Sequence, residues 1–161
     1  MGGEYIHWNV RGINDKSRRS GKINKIISLL QKPKGTELIN LQETHLQSND
    51  DIPQKFFEYK HLYHIIPSFA SPQDSGLGIL IFVNKAEEII LQKELVKGRI
   101  IILKIRNTVT KEIKSIISIY GKSTNDRKTW SEQFSMIMQF GINNSLENIN
   151  FLEDFNFVNS T

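Results

Sequence analysis

Carboxylates and amides at the ends of apolar segments are the residues of this sequence with the most chemistry in them. In Glu37-Leu38-Ile39-Asn40-Leu41-Gln42-Glu43 the alternation of a strand puts Glu43 on the face of Ile39 and Leu41, which should be buried. A carboxylate there is costly unless a cation, a metal or a set of donors compensates it, so Glu43 is a candidate ligand for a hard cation. A strand-end glutamate bending into solvent is the competing account, and Glu43 alone favours it. Asp154 and Asn156 share a face with Leu152 at the end of another apolar strand, where α/β proteins gather polar function. A carboxylate there can activate a water while an amide holds an oxyanion. An Asx-type turn competes, and the motif alone favours the turn.

Asn9 stands on the polar face of the first strand, and Arg11 offers a planar fork for phosphate, against the plainer reading of a capped strand end. Tyr120, closing a strand with Ile116, Ile117 and Ile119, either donates its hydroxyl to a phosphate or is a core tyrosine with a wet tip. His61 and His64 fall on opposite faces of a strand, so no zinc set is expected. Asp74-Ser75-Gly76-Leu77-Gly78 leads into a strand rather than a helix, which argues for a tight turn instead of a phosphate loop. The basic run Lys16-Ser17-Arg18-Arg19 fits a nucleic-acid contact no better than a solvated helix entrance.

Periodicity supplies the elements that must position these residues. Tyr5 to Arg11 alternates, with Ile6, Trp8 and Val10 on one face; Ile23, Ile26, Ile27 and Leu30 fall at helical spacing, closed by Pro33 and Gly35. Glu37 to Glu43 is the second strand, which makes the opening a βαβ-like unit. His61 to Ile66, Gly78 to Asn84 and Glu88 to Leu95 read as short strands, and Pro67 to Ser75 as a loop. Arg99 to Arg106 and Glu112 to Tyr120 read as an antiparallel pair around Asn107 to Thr110. Asn125 caps a helix with Trp130, Phe134, Ile137 and Met138 on one stripe, ending near Gly141, and Asn148 to Leu152 is the last strand.

Length and composition bound the class. At 161 residues, with 39% hydrophobic and 24% charged residues, the chain has enough apolar material for one domain with a core. A balance of 21 basic against 17 acidic residues, +4 overall, leans toward a polyanionic partner. No cysteine is present, which removes disulfides and thiolate metal sites. The apolar run around Ile79 to Val83 is too short to span a bilayer and the first residues lack a signal-peptide pattern, so an intracellular protein of nucleus or cytoplasm, without membrane association, is expected.

The order of the motifs carries more than any one of them. Asn9-Val10-Arg11-Gly12, Leu41-Gln42-Glu43-Thr44-His45, Ile119-Tyr120-Gly121 and Glu153-Asp154-Phe155-Asn156 follow one another as they do in the endonuclease/exonuclease/phosphatase family, which the sequence resembles over essentially its whole length. The Asn-Val-Arg-Gly and Gln-Glu-Thr-His wording is most similar to the apurinic-type endonuclease domain of non-LTR, LINE-like retrotransposons. The resemblance implies an α/β fold, the four-layer α-β-β-α sandwich of deoxyribonuclease I, and magnesium-dependent phosphodiester hydrolysis on DNA, with Mn2+ as a substitute cation. By the same resemblance Glu43 binds the metal, Asn9 binds it or supports its ligands, and Tyr120 and Arg11 meet phosphate. Asp154 orients or deprotonates the attacking water, and Asn156 holds the phosphoryl oxygen.

Three departures from the family pattern set further expectations. Glu153 stands where the family has glycine, and Gly121-Lys122 where a proline commonly follows the tyrosine. The family's closing Ser-Asp-His motif is not in the sequence, so residues 1–161 are expected to form one such domain without its last strands, with turnover impaired or lost. An apolar face or unpaired strand edge should then be exposed. No obligate protein partner is evident, although another chain could supply the missing strands. A non-catalytic remnant with weak nucleic-acid binding is the alternative function, and a phosphatase acting on a phosphorylated lipid or inositol the second alternative.

Overall fold

The computed structural model describes residues 4–13, 19–32, 36–121 and 127–154, apart from the side chains of Arg19, Ser20, Arg127 and Asp154. Strand β1 (Glu4–Asn9) leads through helix α1 (Arg19–Leu30) to β2 (Thr36–Gln42), and the two strands pair in parallel, Tyr5 opposite Leu38 and Asn9 opposite Gln42. Parallel neighbours need such a crossover. Strands β3 (Tyr63–Ser68) and β4 (Ile79–Asn84) complete a sheet of order β1-β2-β4-β3. A second sheet runs β5-β6-β7-β8, from β5 (Glu87–Val96), β6 (Ile100–Asn107) and β7 (Ile113–Tyr120) to β8 (Ile149–Asp154). Helix α2 (Arg127–Asn144) crosses over between β7 and its parallel neighbour β8.

Alternation along these strands builds four layers. Leu38, Ile79, Ile81 and Val83 of the first sheet meet Ile101, Leu103, Ile105 and Ile116 of the second in a buried layer between the sheets. The other face of the first sheet, with Ile39, Leu41, Leu80 and Phe82, receives Ile23, Ile26 and Leu30 of α1. The other face of the second sheet, with Ile100, Ile102, Ile117 and Ile119, receives Ile137 of α2. Each fully buried aliphatic side chain contributes roughly 1.5–3 kcal/mol, so the isoleucine-rich inner strands hold the sandwich together.

Several sequence expectations shift. Pro67 and Ser68 belong to β3, not to a loop, and Pro72–Asp74 form a 3-10 turn capped by Ser71. Because β3 is an edge strand, the missing proline N–H costs no ladder bond there. His61 lies in the turn before β3, so it shares no strand with His64. Helix α2 runs past Gly141 to Asn144 and its buried face is Gln133 and Ile137, whereas Phe134 and Met138 are exposed. The Asn125 cap and the run Lys16 to Arg18 lie outside the described residues.

Chain direction gathers one set of termini. β1, β2, β3, β7 and β8 all finish, and β4 and β6 both start, at the same end of the sandwich. Asn9, Glu43 and Tyr120 stand at that end.

Candidate active site

Glu43 does not continue the alternation of β2. The strand ends at Gln42, and Glu43 takes a left-handed backbone with φ of 53°, so the regular alternation stops before it. A non-glycine residue holds that conformation only where its surroundings determine it. Here they do: Val10 N–H donates to Gln42 O at 3.0 Å, Gly12 N–H to Glu43 O at 2.7 Å and Ile13 N–H to Thr44 O at 3.0 Å. The segments after β1 and β2 are thus laced together, and Glu43 ends half-buried beside Asn9.

Asn9 Nδ2 donates a short hydrogen bond to Glu43 Oε2, while Asn9 Oδ1 accepts the N–H of Arg11 at 3.1 Å. The Arg11 bond fixes which end of the amide is oxygen, so Asn9 meets Glu43 as a donor. Arg11 itself is left-handed, with φ of 52°, and its side chain is exposed. Lys22 reaches over from α1 and donates to Arg11 O at 3.2 Å and to Gly12 O at 3.1 Å. Trp8, Asn9, Arg11, Lys22 and Glu43 line an open cavity of about 640 Å³. His45, also left-handed, lays its ring against Gly12. Gly12 has φ of +90°, and a Cβ at that position would stand 2.6 Å from His45 Nδ1, so only glycine fits.

A polar ladder continues from this end into the gap between the sheets. His7 Nδ1 and Asn40 Nδ2 are 2.9 Å apart, Ser118 Oγ donates to Asn40 Oδ1 at 2.9 Å, and Gln42 Nε2 donates to Ser118 Oγ at 3.1 Å and to Ile119 O at 3.2 Å. Asn40, Gln42 and Ser118 are fully buried. Their bonds fix the first sheet against the second one residue short of both Glu43 and Tyr120. Tyr120 is itself buried against Ala70 and Leu77, and its N–H donates to Arg99 O at 2.8 Å.

The sequence-predicted residues therefore divide. Asn9, Arg11 and Glu43 share the cavity, and Tyr120 stands at the same end of the sandwich. Asp154 is the last residue of β8, paired in register with Tyr120, and its side chain is not among those described; Asn156 lies outside the described residues. Glu153, at the glycine position of the family pattern, pairs with Ile119 as an ordinary strand residue. Three contributors escaped sequence reasoning: Lys22, His45 as a packing partner of Gly12, and Arg99. The Lys22 signal was available only as a lysine near the start of the amphipathic helix.

For a hard divalent cation the donor set is sparse but suited. Glu43 Oε1 has no partner among the described residues, which leaves one oxygen of a half-buried carboxylate available in an open cavity. No three acidic or histidine side chains converge into a metal cage among the described residues. Magnesium is commonly held by one or two carboxylates with several retained waters, and this arrangement fits that habit. As oriented, Asn9 supports the ligand and does not offer its own oxygen.

No family model matches the sequence, and no curated protein matches it. Solved structures do match. A humanized Danio rerio TDP2 superposes with a TM-score of 0.67 at 17% identity, covering 96% of this chain and 66% of that one. An endonuclease/exonuclease/phosphatase family protein from Bacteroides thetaiotaomicron gives 0.67 at 13%, covering 98% and 64%. The endonuclease domain of TRAS1, a telomere-specific non-LTR retrotransposon, gives 0.61 at 13%, covering 96% and 59%. The chain thus has the deoxyribonuclease I-like α/β fold of the endonuclease/exonuclease/phosphatase family. It spans no more than about two thirds of the length of these three solved chains.

Proposed function

We propose that this chain carries the metal-binding half of a magnesium-dependent phosphodiesterase acting on DNA, of the kind found in non-LTR retrotransposons. The observation that supports this most directly is the Asn9 amide held between Arg11 N–H and the Glu43 carboxylate at the mouth of a cavity flanked by Arg11 and Lys22. A metal bound at Glu43 would neutralise phosphate charge as the transition state develops. Asn9 holds the carboxylate in place, Arg11 attracts the phosphate, and Tyr120 donates its phenol to a phosphate oxygen. Asp154 accepts the proton of the attacking water and Asn156 holds the phosphoryl oxygen. D. rerio TDP2 has been solved with a single-strand DNA product, which makes nucleic acid the first substrate to try here.

Plasmid nicking with Mg2+ or Mn2+, run beside Glu43→Ala and Asp154→Ala, tests the proposal. Metal-dependent nicking lost in both variants is the expected result. Nucleic-acid binding with no nicking by the unsubstituted chain would leave the non-catalytic alternative in its place. Phosphate released from a phosphoinositide without any nicking would instead move the substrate to lipid.

A further inference from the structure

One flank of the sandwich is open, where β3 is the edge of the first sheet and β5 the edge of the second. Two side chains bridge these edges: His64 Nε2 donates to Glu87 O at 3.0 Å, and Ser68 Oγ donates to Glu94 Oε1 at 2.7 Å. The flank carries an open cavity of about 360 Å³. Phe57 of the 3-10 turn Gln54–Tyr59, Ile65 of β3 and Ile89 of β5 are half-buried and give it apolar walls, while Lys60, His64 and Lys85 make its lining basic. No carboxylate lines it. Lys60 and Lys85 are exposed, and neither enters an ion pair among the described residues.

Strand pairing decides which backbone groups face outward here. Lys85 N–H donates to Leu62 O at 2.9 Å, so the ladder bonds between β3 and β4 fall on His64, Ile66 and Ser68. The N–H and C=O of Ile65 and the C=O of Pro67 therefore point away from β4, out of the sheet edge. By the same rule Thr108 N–H, donating to Ala86 O at 2.9 Å, leaves the backbone groups of Glu87 and Ile89 pointing away from β6. The His64 ring takes the Glu87 carbonyl. An edge of this kind is completed by another peptide backbone, whereas a phosphodiester strand has no ladder of N–H and C=O groups to offer it.

We infer that this flank docks an extended acidic peptide, which adds a strand to the outer edge of β3 and sets its carboxylates against Lys60 and Lys85. Alternation along the added strand meets both demands of the cavity, an acidic row for the lysines and an apolar row for Phe57 and Ile65. Charge complementarity favours such a partner over a second copy of this chain, whose net charge is +4. Pro67 stands at an outward position of the same edge and has no N–H to offer, which confines the pairing to the segment beside the lysines. The site goes beyond the phosphodiesterase reading and does not depend on it.

Fluorescence anisotropy with the whole chain tests this. The probes are a blocked, labelled peptide of alternating glutamate and valine, the same peptide methylated on its backbone nitrogens, and a short thymidine oligonucleotide. The first peptide should bind, with affinity falling as salt rises, and methylation should abolish the binding because it removes the N–H groups that extend the ladder. Lys60→Glu combined with Lys85→Glu should weaken the peptide about tenfold or more. The double variant should melt as the parent does, since both side chains are exposed. Absence of peptide binding, or equal binding of the methylated probe, overturns the inference. Binding of the oligonucleotide in place of the peptide, lost in the double variant, would make the flank a nucleic-acid surface and overturn it as well. So would a dimer of the chain that the double variant abolishes, which would put a second copy there.

Discussion

Asn9 gives its amide nitrogen to Glu43 and its oxygen to the Arg11 N–H, which makes its role separable from that of a ligand. Asn9→Ala should weaken Mn2+ binding by roughly tenfold to a hundredfold, the usual consequence of losing a residue that orients a metal ligand. Glu43→Gln should remove the binding almost entirely. Isothermal titration would read both, and equal affinity in Asn9→Ala and the parent would remove Asn9 from the site. Gly12 makes a second residue-scale prediction. A Cβ there would face His45 Nδ1 at 2.6 Å on a backbone of φ +90°, so Gly12→Ala should destabilise the fold by about 1–3 kcal/mol in urea unfolding. Asn9, Glu43 and Gly12 drew attention in the sequence through the order of the motifs that contain them, since no single run decided on its own. Lys22 and Arg99 were not legible: one acts on carbonyls ten and eleven residues upstream, and the other through its own carbonyl on Tyr120 N–H.

Strand pairing explains a second polar cluster, at the opposite end of the sandwich from Glu43. Between Glu4 and Tyr5 the β1-β2 register slips, Glu4 facing Thr36 and Tyr5 facing Leu38, so Glu37 has no partner in β1. Such a bulge re-aims its side chain, and the Glu37 carboxylate meets Lys114 of β7 at 3.3 Å. Glu87, at the start of β5, is buried beside it and accepts a hydrogen bond from Asn107 at 3.2 Å. Burial first, and then a hydrogen bond and repulsion from Glu37, push the Glu87 carboxyl up to about 7. Burial also works against charge on Lys114, but Tyr5 and Glu37 outweigh it and hold the ammonium above its ordinary value. A carboxyl whose folded pKa is raised binds its proton more tightly in the folded state, so the stability it contributes is complete below its unfolded value and is lost as pH rises through about 7. Urea unfolding should therefore show stability falling by on the order of 1–3 kcal/mol between about pH 5 and about pH 8, and Glu87→Gln should flatten that fall. A pH profile identical in the variant would locate the titration elsewhere. Simple alternation could not reveal this cluster, because it assumes an unbroken register and β2 departs from it at both ends, by the bulge at Glu37 and the left-handed turn at Glu43. Helix α2 misled for a related reason: its apolar residues outnumber those its buried face can hold, and Phe134 and Met138 went to solvent.

Across the whole molecule the basic side chains are compensated unevenly. Lys114 pairs with Glu37, Arg106 with Glu88 at 2.8 Å and Lys104 with Glu147 at 3.9 Å, all of them on cations of the second sheet away from the Glu43 end. At the Glu43 end, Arg11, Lys22 and Arg99 enter no ion pair among the described residues, against the carboxylates of Glu43 and Asp74. Arg11 and Lys22 line the Glu43 cavity and put positive charge where the proposed phosphodiester would enter. If these two cations each neutralise one phosphate of a single strand, the logarithm of affinity should fall with the logarithm of salt, with a slope of about −0.7 for each contact. Arg11→Gln, at an exposed position that takes no part in the strand ladder, should weaken oligonucleotide binding and reduce that slope by about 0.7 without changing thermal stability. Fluorescence anisotropy in EDTA across a salt series would measure both quantities. A slope unchanged by Arg11→Gln would mean that the strand does not run past the Asn9 to Gly12 turn.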